Sequence, residues 1–238
     1  MVGSRARSRK RKAGQLALDL KARIGWGGKR EGAGRKKTGR AGVAHRRRER
    51  FGSRDPLHVT LRLGRAYRNL RTRGAAAVLR AAFQGGKERF GFRLTQFSVQ
   101  PAHLHLVAEA QGPRALSRGV KGLCVRIARR LNRLLRRKGR VFSDRYHARV
   151  LRTPSEVRRA LLYVLQNARH HPETGAPAPG VAWCDDYSSA RLFDGWKAPP
   201  PLSGSPPPGD EPVVAPRVWL LCVGWRRRGL IDPCEGPA

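Results

Sequence analysis

Acidic residues are scarce in this chain: 16 Asp and Glu stand against 51 Lys and Arg in 238 residues, a formal net charge of +35. Self-repulsion on that scale opposes compaction, and a polyanionic partner relieves it. Neutralised phosphates release their condensed counterions, so nucleic acid is the expected partner. A codon bias toward Arg adds bases, but it does not thin out the acids. Cysteine is also sparse. Cys124, Cys184, Cys222 and Cys234 include no C-x-x-C pair, which excludes a zinc ribbon or a redox motif of that kind. Reduced thiols in a cytoplasm suit such spacing. Long apolar runs are missing. The stretch Val218 to Val223 is far too short to span a bilayer. The basic N-terminus leads into no apolar signal core. A soluble intracellular protein is expected, with no membrane partner. Aromatics are few, 7%, and hydrophobics make up 39%, so part of the chain is expected to lie outside any core. The length suits one domain with tails.

What is present falls into three parts. Residues 1–54 are basic and Gly-rich, with RSRKRK (Arg7 to Lys12) and GWGGKREGAGRKKTGR (Gly25 to Arg40), and no sustained apolar period. They read as a disordered basic arm, with Arg35, Lys36 and Lys37 as DNA contacts or as a merely solvated tail. Order is expected from Pro56. His58 to Leu63 alternates as a strand, and Asn69 to Phe83 has helical spacing ended by Gly85-Gly86. Phe90 to Val99 and Ala102 to Ala110 predict an antiparallel hairpin turning at Pro101. Leu116, Val120, Leu123, Ile127, Leu131 and Leu134 form one helical stripe. Its other face carries Arg118, Lys121, Arg126, Arg129, Arg130 and Arg133 with no acid among them. Such a face is expected to meet phosphate.

Tyr146 to Arg152 predicts a short strand. Thr153-Pro154-Ser155-Glu156 then supplies an N-cap, a first-turn Pro and a capping box for a helix to about Arg169. Pro199 to Pro216 reads as a linker, and Val218 to Ile231 as a short strand or helix. The order β-α-β-β-α-β-α predicts an α+β fold: a ferredoxin-like antiparallel sheet packed by helices, one face covered and the other open to a ligand. A disordered basic arm would precede it and a Pro-rich extension follow it.

Two small constellations carry chemistry. His103 and His105 alternate within a strand, so both imidazoles project from one face and can share a metal ion. H-x-H alone also fits two surface histidines. Tyr163 and Asn167 are four residues apart on the capped helix, beside the stripe Val157, Leu161, Val164, Leu165 and Ala168. An Asn oxygen suits a hard divalent cation, while a helical Tyr alone is as readily a packing residue. Arg145 and Arg149 flank Tyr146 and His147 and suit a phosphate contact or a strand end. Asp144 is placed to orient Arg145. His58 reads as a surface or pairing residue, and His170 and His171 as partners of a helix C-terminus.

PAHLHLVAEA (Pro101 to Ala110) and GRVFSDRYHARVLRTPSEVRRALLYVLQNARHH (Gly139 to His171) together resemble the single-tyrosine HUH transposases of the IS200-like superfamily. The branch most similar is the REP-associated tyrosine transposases. The resemblance covers about residues 55–171, and GKREGAGRK (Gly28 to Lys36) is similar to arms preceding that domain. It implies that Tyr163 is the nucleophile and that His103, His105 and Asn167 hold Mg²⁺ or Mn²⁺. It implies a 5′-phosphotyrosine intermediate on single-stranded DNA, a hairpin or palindromic repeat, and a possible homodimer. Relatives often carry Pro after that Asn. Ala168 stands here instead, so the helix is expected to run on through His170. Residues 172–238 have no counterpart in the resemblance. A non-catalytic DNA-binding protein of the same fold is the alternative. An RNA-binding sheet fits less well, because Phe90, Phe92 and Phe97 do not form the glycine-aromatic signature of such modules.

Overall fold

The computed structural model describes residues 49–67, 69–201 and 211–237. Arg35, Lys36 and Lys37, and the arm that carries them, lie outside the described residues. From residue 49 on, the described residues belong to one compact unit.

Five strands form the sheet: β1 (Leu57–Arg62), β2 (Glu88–Arg89), β3 (Phe92–Val99), β4 (His103–Ala110) and β5 (His147–Val150). Every neighbouring pair is antiparallel, in the order β2-β3-β4-β1-β5. Without the two-residue β2, this is the ferredoxin-like arrangement expected. The period of β3 has a step in it. Phe92 and Leu94 share a face with Phe97 and Val99 because a bulge at Thr95 resets the alternation, and Thr95 Oγ1 donates to Val107 O at 3.0 Å.

One face of the sheet carries Leu57, Val59, Leu61, Leu94, Phe97, Leu104 and Leu106, all buried under two helices. The first, α1 (Arg73–Gln84), is capped by Thr72 and starts four residues later than the apolar spacing predicts. The second, α2 (Pro113–Leu134), buries Leu116, Val120, Leu123, Ile127 and Leu131, while Leu134 is exposed. Gly119 lets α2 close on β3, since a Cβ there would stand 2.2 Å from Phe92 Cβ.

The other face is polar, with His58, Thr60, Ser98, His103 and His105, and it is not open as the sequence predicts. The helix α3 (Pro154–Gln166) covers it, with the capping box formed by Thr153 and Glu156. A second apolar cluster lies behind α3. Leu161, Leu165 and Val107 meet Cys184, Phe193, Leu221, Trp225 and Ile231 from the C-terminal region. That region holds the short helix α4 (Trp219–Cys222) and a 3-10 turn (Gly224–Arg228). It is pinned at two buried charges. Asp185 accepts two hydrogen bonds from Arg71 at 2.8 and 3.0 Å, and Glu109 Oε1 accepts from the backbone N–H groups of Arg217 and Val218. Among the described residues, no helix is long and apolar enough to cross a membrane.

Candidate active site

Pairing of β1 with β4 sets Thr60 opposite His105, Arg62 opposite His103 and His58 opposite Val107. Directly opposed residues share a face. The two histidines of β4 are therefore joined by a third from β1, His58, which the sequence reads as a surface or pairing residue. His105 is 4% exposed, and its Nδ1 lies 3.1 Å from His58 Nε2 and 3.3 Å from Thr60 Oγ1. Its Nε2 is buried with no hydrogen-bond partner. A proton on Nδ1, donated to His58, leaves the Nε2 lone pair free to bind an electrophile. Gln100 extends the group. Its Nε2 donates at 2.6 Å to Ser98 Oγ, across the sheet from His105, and its buried Oε1 has no partner.

Tyr163 reaches this cluster from α3. Its ring centroid lies 5.1 Å from that of His105, 5.7 Å from His58 and 5.8 Å from His170. The His103 ring is 4.7 Å from His105 and 5.5 Å from His171. His170 and His171 thus border the site rather than serving only a helix end. Their turn also carries Asn167, which is fully buried with both amide atoms unpartnered.

The helix end differs from expectation. The α-helix closes at Gln166, and Asn167–His170 is a 3-10 turn, so Tyr163 and Asn167 are not stacked on one continuous α-helical face. Tertiary hydrogen bonds hold this tighter turn. Gln166 Nε2 donates to Trp183 O and Pro233 O, and the Arg169 guanidinium donates to Pro177 O, Val181 O and Pro233 O.

Burial pushes the pKa of His105 down to about 2, with His58, His103 and His171 adding to the shift. Burial also lowers His58 to about 4, aided by His147 and Arg149, and lowers His103 to about 4, aided by His171 and Arg62. The imidazoles are thus held neutral, the form that binds metals. Each folded pKa lies below the unfolded value, so the unfolded chain binds more protons as pH falls. Stability from these groups is complete above pH 6.5 and is lost as pH drops toward 4. His58 alone is expected to cost roughly 3 kcal/mol by the lower limit. Thermal melts in chelator between pH 7 and pH 4.5 should show this decline, with a shallower slope in His58→Gln. A flat profile would refute it.

Of the basic residues expected to meet DNA, Arg149 stands at this site. With His58, Tyr163, Glu156 and Arg159 it lines a cavity of about 330 Å³, which Gly236 and Pro237 border from the C-terminus. Arg159 was not anticipated, although its place four residues before Tyr163 is a legible signal. Arg145 is exposed just before β5, and its backbone N–H donates to Asp144 Oδ1. Arg118, Lys121, Arg126, Arg129, Arg130 and Arg133 lie elsewhere. They belong to α2, which packs on the opposite face of the sheet, so they do not line the Tyr163 cavity.

Among the described residues, no three His, Cys, Asp or Glu side chains form a metal-binding group. The available donors are His103, His105 Nε2 and Asn167 Oδ1, two imidazoles and an amide oxygen. The unpartnered buried atoms of His105 and Asn167 carry a cost of burial that a bound divalent cation would offset.

No family model and no curated protein matches the chain. Among solved structures, a REP-associated tyrosine transposase bound to a REP hairpin is similar at 16% identity and a TM-score of 0.49, over 63% of this chain and 84% of that one. A candidate transposase from Deinococcus radiodurans R1 is similar at 18% identity and a TM-score of 0.36, over 51% and 90%. Likeness of this extent names neither a family nor an activity; those rest on the site itself.

Proposed function

We propose that this protein is a transposase-like enzyme of the single-tyrosine HUH type, which cleaves and rejoins single-stranded DNA through Tyr163. One observation carries the reading: Tyr163 packs edge-on, 5.1 Å between centroids, against a buried His105 whose Nε2 has no partner. His103, His105 and Asn167 would hold Mg²⁺ or Mn²⁺. Such an ion, when bound, polarises a phosphoryl group and offsets charge developing on its oxygens.

The chain's own residues supply the rest. Tyr163 Oη attacks phosphorus, a Tyr–O–P bond forms, and the bond from phosphorus to the 3′-oxygen breaks. The proton lost by the phenol is balanced by one gained at the 3′-hydroxyl. Attack by another 3′-hydroxyl reverses the exchange, so joining needs no nucleotide cofactor. Arg149 and Arg159, which line the cavity, hold the strand by its phosphates. His58 fixes the His105 tautomer. The work belongs in the cytoplasm, where the four thiols stay reduced.

The test is incubation of the full chain with a single-stranded DNA hairpin and Mg²⁺ or Mn²⁺, followed by denaturing gel electrophoresis. A covalent protein–DNA adduct is expected, and His103→Ala/His105→Ala should not form it. An adduct formed equally well by that double variant would remove the metal from the proposal. His58→Asn should slow adduct formation roughly 10- to 100-fold, the usual cost of losing a partner behind a ligand. An unchanged rate would reduce His58 to packing.

A further inference from the structure

The C-terminal region carries a large aromatic that folding leaves in the open. Trp219, the first residue of α4, is 49% exposed. Its ring is nevertheless held in place. A Cβ on Gly224 would stand 2.6 Å from the indole, so the ring rests directly on glycine backbone. The Arg227 guanidinium lies 5.1 Å from the ring centroid. Beside Trp219 runs a groove of about 750 Å³, walled by Arg54, Arg152 and Arg217. Its acid is already engaged: Asp55 lies 3.7 Å from Arg152, which also meets Glu49. Arg217 is paired with Glu88 at 3.4 Å yet remains 72% exposed. One backbone segment serves both, since Arg152 on the groove wall directly follows Leu151, which lines the Tyr163 cavity.

We propose that this groove binds a nucleotide of the strand being processed, with its base stacked on Trp219 and its phosphates against Arg152, Arg217 and Arg227. The inference rests on the reading of the Tyr163 cavity as a strand-cleaving site, and it extends that site into the C-terminal region. Every base has a π-face, so an exposed indole binds single strands with little sequence preference. The basic wall meets the backbone at the same place, and a ring already seated on Gly224 loses little freedom on stacking.

The test uses the full chain carrying Tyr163→Phe, which binds without cleaving, and labelled single strands with one abasic site stepped along their length. One position is expected to lower affinity roughly 5- to 150-fold when its base is missing. Adding Trp219→Ala should weaken the intact strand by a similar factor and abolish sensitivity at that position alone. The salt dependence of binding should not change, because no charge is lost, whereas Arg227→Gln should reduce its slope by about 1. Gly224→Ala, which displaces the indole, should act like Trp219→Ala. Abasic profiles that superimpose with and without Trp219 would overturn the proposal, as would binding by Trp219→Ala within twofold. A Trp219-dependent profile, together with no adduct from the chain that retains Tyr163, would sustain the platform and sink the cleavage reading. An adduct with a Trp219-independent profile would do the reverse.

Discussion

Tyr163→Phe is expected to form no covalent adduct with a single-stranded hairpin, while melting within about 2 °C of the wild type. Both halves follow from the surroundings of the side chain. Among the described residues, Tyr163 Oη has no hydrogen-bond partner, so removing it strands nothing, while the ring keeps its edge contacts to His58 and His105. The chain's other three tyrosines are committed elsewhere. Tyr67 donates to Asn132 at 2.6 Å, Tyr187 lies under the Arg71 guanidinium, and Tyr146 packs against the α1–α2 core. The adduct should therefore map by mass spectrometry to the tryptic peptide Ala160 to Arg169. An adduct that persists in Tyr163→Phe, or that maps to another peptide, would remove Tyr163 as nucleophile.

Trp225→Ala should destabilise the whole protein by about 3–5 kcal/mol, and lower its melting temperature by roughly 6–20 °C. Trp225 is 1% exposed, stacks on Phe193 at 5.5 Å and donates from Nε1 to Leu221 O at 2.9 Å. Gly195 makes room for it, since a Cβ there would stand 2.5 Å from the indole or closer. This indole belongs to the cluster behind α3, the helix that carries Tyr163. Loss of that backing should also slow adduct formation at temperatures well below the melt. A variant that melts with the wild type would show that the C-terminal region contributes little to the core.

Much of the scaffold was legible because it depends on local chemistry. Thr153, Pro154 and Glu156 announce α3 through caps that act within one turn, and the apolar spacing of α2 names five side chains that it buries. Alternation places His103 and His105 on one face, and the β-α-β-β-α-β order matches the observed sheet. His58, His170 and His171 reach the site through contacts that no local pattern announces. His58 is 47 residues from His105, and only the β1–β4 register brings them together. His170 and His171 lie at the 3-10 turn that ends α3, and the Pro233 carbonyl, more than 60 residues away, helps to hold that turn.

The sequence by itself determined the charge and the main helices and strands, which follow from composition and from periods of two and three to four residues and need no distant partner. The grouping of Tyr163, His103, His105 and Asn167 as one chemical site came from the resemblance of their ordered motifs, since neither H-x-H nor a helical Tyr carries it alone. Only the tertiary structure decided that α3 closes the polar face of the sheet over these groups. It also put the basic face of α2 across the sheet from the tyrosine and built the C-terminal region into the core behind α3. The reason is physical. The C-terminal region has too little apolar periodicity to announce a fold of its own, and its Phe193, Leu221, Trp225 and Ile231 become a core only against the back of α3.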